Sequence, residues 1–167
     1  MDIKNLTSTQ KLTVSGIVMA CYIVVMYITQ GFAFGQYQVR IATAIYGLAY
    51  IFPFLVVPLG LSNLLSNMLM GGLGFFDIAG GGAVGILTAL CCARAGKRKM
   101  NEMLVAVPIA IIPAFGVSLW LSQILGVPYL LLALDLLIGQ IIAGICGGLL
   151  VKSLVKAFGA EEKHGQK

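Results

Sequence analysis

The chain alternates long apolar runs with short polar breaks, and most of the runs are long enough to span a membrane. Leu12–Ile28, Val39–Phe76 and Ile78–Ala93 are apolar, as is almost everything from Met103 to Val151. The last run divides at Ser122–Tyr129, where Gly126-Val127-Pro128 carries turn chemistry. A helix needs roughly 20 residues to cross the hydrocarbon core, with about 17 as the minimum. Val39–Phe76 is therefore either one interrupted span or two short ones. Pro53 and Pro58 bracket a turn within it, because proline disfavours helix at the residue before it.

Composition supports the membrane reading. The chain of 167 residues is 59% hydrophobic and only 10% charged, with a mean hydropathy of +0.98, whereas soluble domains are about 25% charged. The distribution of charge then decides the span count. Lys4 and Lys11 mark one end as cytoplasmic, Arg94, Lys97, Arg98 and Lys99 mark a loop, and Lys152, Lys156, Lys163 and Lys167 mark the other end. An even number of spans must separate each pair of segments on the same side, so the middle run holds two. The expectation is an all-α integral membrane protein with N- and C-termini cytoplasmic. It forms a single membrane domain with six spans, near 12–30, 39–54, 58–72, 77–94, 103–121 and 129–151. A basic loop, 95–102, and a tail, 152–167, lie inside, and the bacterial plasma membrane is the expected location. The net charge of +5 is explained by membrane orientation, and no nucleic-acid partner is expected. The run 12–28 is long for a signal peptide and no small-x-small cleavage site follows it, so no cleaved leader is expected. Asn5-Leu6-Thr7, formally a glycosylation sequon, is read as coincidence.

Within the apolar sequence, Gly60–Gly82 stands out. A helix drawn through it puts Gly60, Asn63, Asn67, Gly71 and Gly74 on one stripe, with Ser62 and Ser66 beside it. Unpaired amides in hydrocarbon cost several kcal/mol, so these side chains must meet protein, water or a ligand. Three ionisable residues also escape the cytoplasmic segments: Arg40, Asp77 and Asp135, each expected at or just below the outer surface. Charges inside spans mark functional sites by default. A structural ion pair between Arg40 and one aspartate is the competing account, but it leaves the second carboxylate over. Gln36, Tyr37, Gln38, Thr43, Gly47 and Trp120 fall at the same depth, Trp120 being also a candidate for an interfacial belt. Gln140 lies five residues after Asp135, about 140° round a helix, so those two do not share a face. Amides, carboxylates and aromatics together suit a flat, hydrogen-bonding heterocycle.

Several chemistries are excluded or unsupported. There is no phosphate-binding Gly-rich loop with its lysine, no Ser/His/Asp set and no metal-ligand spacing, and His164 is the only histidine. An enzyme is not expected, nor a cofactor or metal, and any energy for transport must come from another protein. Cys21, Cys91, Cys92 and Cys146 read as small buried hydrophobes. Gly16-x-x-x-Ala20, Gly81-x-x-x-Gly85 and Gly144-x-x-x-Gly148 allow close helix packing, the first of them in a position to face a partner.

These features resemble the S components of energy-coupling factor (ECF) transporters. Gln38-Val39-Arg40-Ile41, then Gly60-Leu61 with Asn67, then Asp77 before Gly80–Gly82 is similar to the QueT group, the queuosine-precursor transporters, over about residues 15–95, with weaker agreement at Gly139-Gln140. The resemblance implies a substrate-binding subunit for a 7-deazaguanine, such as the 7-aminomethyl precursor or queuine. It also implies docking on an ECF module of one transmembrane coupling protein and two ATPases. Gly16 and Ala20 match the docking motif of S components, with glycine in place of its first alanine, and the transport mechanism implied is toppling of the subunit in the membrane. The group's pattern continues with a glutamate after Gln-x-Arg-Ile, where Ala42 and Thr43 stand here. An acidic contact is then either missing or supplied by Asp77 or Asp135. The alternatives are an S component for another vitamin-like heterocycle, or a non-transporting membrane structural or interaction protein. As substrate-binding residues the reading gives Asp77, Asn67, Asn63, Arg40, Gln38, Tyr37, Asp135, Trp120 and Gln140.

Overall fold

The computed structural model describes residues 6–33, 39–70 and 73–164, the side chains of Phe32 and of 159–164 apart. Gln36, Tyr37, Gln38, Gly71 and the sequon residue Asn5 lie outside the described residues. All regular structure among the described residues is helical: α1 (Ser8–Ile28), the single turn α2 (Gln30–Ala33), a 3-10 segment (Ile41–Tyr50), α3 (Val56–Met70), α4 (Phe75–Lys97), α5 (Ala106–Leu125) and α6 (Tyr129–His164). Short 3-10 turns at Pro53–Leu55 and Glu102–Val105 lead into α3 and α5. Among the described residues, five helices are long and apolar enough to cross a membrane: Ser8–Ile28, Pro53–Met70, Phe75–Lys97, Glu102–Leu125 and Tyr129–Phe158.

The expected second span, 39–54, takes a different form. The helix it contains is ten residues of 3-10 geometry, Ile41–Tyr50, shorter than the five span-length helices. At about 2.0 Å per residue a 3-10 helix of that length reaches ~20 Å, a third further than an α-helix. The segment packs between α4 and α6 and also touches α1, α3 and α5. Its start, at Arg40, is bonded into the N-terminal part of α4 through α3, and Tyr46 lies over Gly85. At its end the Tyr50 hydroxyl donates to the Met100 carbonyl, and the Tyr50 carbonyl lies against Gly96. The segment thus runs alongside α4 from one end to the other. The chain turns at Ile51–Phe52, with Pro53 opening the next helix, a few residues earlier than the proline bracket suggested. At the other boundaries, α4 continues to Lys97 into the predicted loop and α6 runs unbroken into the predicted tail.

Small residues set the packing. α3 and α4 are antiparallel and touch through Gly60, Gly81, Gly82 and Gly85; a Cβ on Gly60 would lie 3.1 Å from the Gly82 carbonyl, and one on Gly85 would lie 3.2 Å from the Gly60 Cα. On α6, Gly144 abuts the Ala106 backbone and Gly148 abuts Met103, so both of these small-residue motifs serve packing within the chain. Gly16 is different, since a Cβ there meets nothing within 4 Å and Ala20 is exposed. Helix α1 is the least enclosed span, with 11% of its window buried against 44% for α5 and α6. Its two buried residues are Tyr22 and Met26. Its start is fixed by a capping box in which Thr7 and Gln10 exchange bonds of 2.8 and 3.3 Å.

Lipid offers no hydrogen bonds, so hydroxyls inside spans must be satisfied internally. Ser62, Thr88 and Ser118 each donate to the carbonyl four residues back, on Pro58, Val84 and Ala114. Among the described residues no buried side-chain nitrogen or oxygen lacks a partner.

Candidate functional site

The site is built from the turn-facing ends of α3, α4 and α5 and the start of the 3-10 segment. Asn63 and Asn67 are four apart on α3, so they lie one above the other on the face turned to α4. Gly81 and Asp77, four apart on α4, lie opposite them. Asn63 Nδ2 donates to the Gly81 carbonyl at 2.7 Å and Asn67 Nδ2 to the Asp77 carbonyl at 3.3 Å. Gly81 is needed here because a Cβ would sit 2.4 Å from Asn67 Nδ2. The two amide oxygens turn the other way and accept from one guanidinium. Arg40 Nη1 donates to Asn63 Oδ1 at 3.3 Å and Nη2 to Asn67 Oδ1 at 3.0 Å, while Nε donates to the Ala33 carbonyl at 3.4 Å. A guanidinium carries donors only, in a planar fork, so it fits two acceptors one helical turn apart and fixes which way each amide points. Arg40 is buried, as are both asparagines.

Asp77 lies in the first turn of α4, where the helix dipole favours a negative charge. Its Oδ2 accepts from the Leu73 backbone N–H at 3.1 Å, closing the turn through Gly74, whose φ of +102° suits glycine. Its Oδ1 accepts from the Trp120 indole N–H at 3.0 Å. The indole reaches α4 because Gly80 has no side chain; a Cβ there would come within 2.8 Å of two ring carbons. Arg40, Asn63, Asn67, Asp77 and Trp120 are thus joined in one chain of hydrogen bonds. Trp120 therefore has a specific partner, beyond what an interfacial belt residue needs.

Gln140 enters from α6 and joins this set only at its edge. The Thr43 hydroxyl lies 2.9 Å from Gln140 Oε1 and 2.7 Å from the Arg40 carbonyl, sharing its proton between them. Asp135 is half-buried in the second turn of α6 and stands apart from the chain of bonds just described. Tyr37 and Gln38 are outside the described residues. Two functional-looking residues were missed by the sequence reading. Tyr22 and Tyr46, both fully buried, have hydroxyls 3.2 Å apart, and the Tyr46 hydroxyl lies beside Gly85 and Asn63. The available signal was their depth: Tyr22 falls in the middle of a span, away from the interfaces where tyrosine usually sits.

A separate groove of about 370 Å³ lies between α1 and α3, lined by Ile23, Val24, Tyr27, Gln30, Leu69 and Met70. With Gln30 as its one amide, this lining is poorly suited to a hydrogen-bonding heterocycle. Among the described residues no group of three or more His, Cys, Asp or Glu could hold a metal.

Described residues that are helical wherever they are regular, with five span-length apolar helices and a buried guanidinium, two amides and a carboxylate clustered at one end of the bundle, make this a multi-pass membrane protein. A family model described as QueT transporter matches residues 12–156. The chain belongs to the QueT transporter family and is therefore a transporter, with no enzymatic activity implied. No curated protein and no solved structure matches it significantly.

Proposed function

We propose that the chain is the substrate-binding S component of an ECF-type importer in the bacterial plasma membrane, taking up a queuosine precursor of the 7-deazaguanine class. The observation that carries this reading is the Arg40–Asn63–Asn67–Asp77–Trp120 chain in a member of a transporter family. A 7-deazaguanine is flat, with a carbonyl that a guanidinium can serve and amino and ring N–H groups that a carboxylate can accept. Arg40 and Asp77 are the hydrogen-bonding contacts assigned to it, with Trp120 beside the carboxylate and Asp135, Gln140, Tyr37 and Gln38 as further candidates. Asn63 and Asn67 fit a second role better, because each amide is already used in both directions, toward Arg40 and toward α4. They hold the guanidinium in place, which gives the polar stripe a packing function within a binding protein.

Six crossings with both ends cytoplasmic remain the favoured topology. The 3-10 segment supports it by running beside α4 from the Arg40 end to the Gly96 end, next to the basic residues Arg94–Lys99. It reaches ~20 Å of a core about 30 Å thick, and the chain continues through Arg40 at one end and Ile51–Phe52 at the other.

The direct test is a melting curve of the purified chain with 7-aminomethyl-7-deazaguanine or queuine, set against thiamine, biotin and folate. At a hundredfold excess over Kd, a true ligand stabilises by about 2.7 kcal/mol, which is several degrees of melting temperature. Stabilisation by one of the other vitamins instead would reassign the substrate and keep the transporter class.

Docking on the ECF module is assigned to the outward face of α1 around Gly16 and Ala20. Gly16→Leu puts a side chain where the chain's own atoms leave open space, so its melting temperature should stay unchanged. Co-purification with the coupling protein and its ATPases should fall at least tenfold. Unimpaired co-purification would remove Gly16 from the docking surface.

A further inference from the structure

We propose that Trp120 is a displaceable cap on Asp77: a ligand N–H that reaches this carboxylate takes the place of the indole N–H, so Trp120 sets affinity by competing with the ligand. The inference rests on the reading of Asp77 as a ligand acceptor given above, and it specifies how that acceptor is reached.

The two oxygens of Asp77 are held in different ways. Oδ2 accepts from the backbone N–H of Leu73, inside the turn that opens α4, and Gly74 at a φ of +102° fixes the path of that turn. Freeing Oδ2 requires the backbone to be remade. Oδ1 accepts from a side chain on another helix, near the end of α5, and rotation of that side chain is enough to free it. Asp77 is only 6% exposed, so a ligand has access to the carboxylate only if part of its cover moves. The indole is the part that moves with the least rearrangement: Trp120 is half-buried, five residues from the end of α5. One side of its ring rests on the bare backbone at Gly80, and it packs against the edge of the apolar cluster formed by Val84, Val117 and Leu121 without being buried in it. An indole has a single N–H donor and nothing that accepts, so it can mimic one ligand N–H and no more. A ligand that brings that donor and a second one gains over the cap, whereas an apolar molecule leaves the cap in place. The cap thereby selects for ligands with adjacent donors.

The test compares wild type with Trp120→Phe by titration calorimetry with 7-aminomethyl-7-deazaguanine, alongside melting curves without ligand. Phenylalanine keeps an aromatic ring against Gly80 and removes the donor. The variant should melt at a lower temperature, having lost a bond to a charged acceptor, and yet bind the probe about tenfold more tightly, the low end of what such a bond is worth. The sole tryptophan of the wild type should also change its emission on saturation with the probe. A residue that merely supported the fold would not lower stability and raise affinity together. Unchanged or weaker binding by Trp120→Phe, with wild-type binding intact, overturns the cap and leaves the substrate reading standing. Wild type that binds no 7-deazaguanine at all overturns both.

Discussion

Arg40→Ala should lower stability by about 2–6 kcal/mol, because it leaves the buried oxygens of Asn63 and Asn67 without donors, at roughly 1–3 kcal/mol each. Ligand binding should be lost with it. Arg40→Lys keeps the charge but replaces a planar fork by a compact ammonium, which serves two acceptors one turn apart poorly. Its stability should fall between the two, with binding still severely weakened. The decisive variant removes both sides of the interaction. Arg40→Met combined with Asn63→Leu and Asn67→Leu leaves neither asparagine oxygen orphaned, and replacing both partners of a buried bond by apolar groups can be nearly neutral; the Ala33 carbonyl alone loses the long 3.4 Å bond from Nε, as it does in Arg40→Ala. The carbonyls of Gly81 and Asp77 lose only second partners, since each also has its own helix bond within α4. This triple variant should recover most of the melting temperature lost by Arg40→Ala and none of the binding. Chemical or thermal unfolding in detergent, paired with calorimetry, separates the two quantities. A triple variant as unstable as Arg40→Ala would show that the guanidinium contributes something other than satisfaction of the asparagines.

The stripe that anchors this prediction was legible in the sequence, because spacing alone puts Gly60, Asn63 and Asn67 on one face and apolar surroundings force the amides to find partners. The same argument isolated Arg40, Asp77 and Asp135 as charges out of place. What spacing could not supply was pairing. Asn63 meets the Gly81 carbonyl and Asn67 the Asp77 carbonyl because α3 and α4 pack antiparallel at glycine distance, a register no one-dimensional pattern contains. Trp120 was open to two readings, a belt residue or a site residue, and its bond to Asp77 depends on Gly80 admitting the ring, which sequence alone does not reveal. The segment expected as the second span departs furthest from expectation. Ten apolar residues satisfy a hydropathy window whether their bonds run to the third or the fourth residue, so hydropathy does not distinguish a 3-10 segment from an α-helix. The longer rise lets ten residues accompany α4 from the level of Gly81 to that of Gly96. The boundaries near Pro53, Lys97 and Val151 shifted for a related reason. Proline is accepted at the start of a helix, and helices continue past the edge of an apolar run when nothing in the sequence stops them.

Asp77→Asn tests the other half of the site and is expected to weaken 7-deazaguanine binding about 10- to 100-fold, the range for losing a hydrogen bond to a charged acceptor. The substitution keeps the shape and removes the charge, but it also has a structural consequence that must be separated. Both neighbours of the carboxylate, the Leu73 backbone N–H and the Trp120 indole N–H, are donors. Asparagine offers one oxygen and one NH2, so one of those donors must face another donor. If the oxygen stays with Leu73, the turn is preserved and the indole is released; if it turns to Trp120, the turn loses its closure. Either way stability without ligand should fall by only about 0.5–2 kcal/mol, the scale of losing a helix-start bond. Binding measured well below the melting temperature is insensitive to a loss of that size, so a large drop in affinity there belongs to the ligand contact. A 7-deazaguanine analogue without its exocyclic amine sharpens the assignment. If that amine is the group Asp77 accepts from, the analogue should bind wild type weakly and gain nothing from the carboxylate, giving equal affinities for wild type and Asp77→Asn. Undiminished binding of the full precursor by Asp77→Asn, with only the melting temperature lowered, would reduce Asp77 to a residue that closes the start of α4 and shift the acidic contact to Asp135.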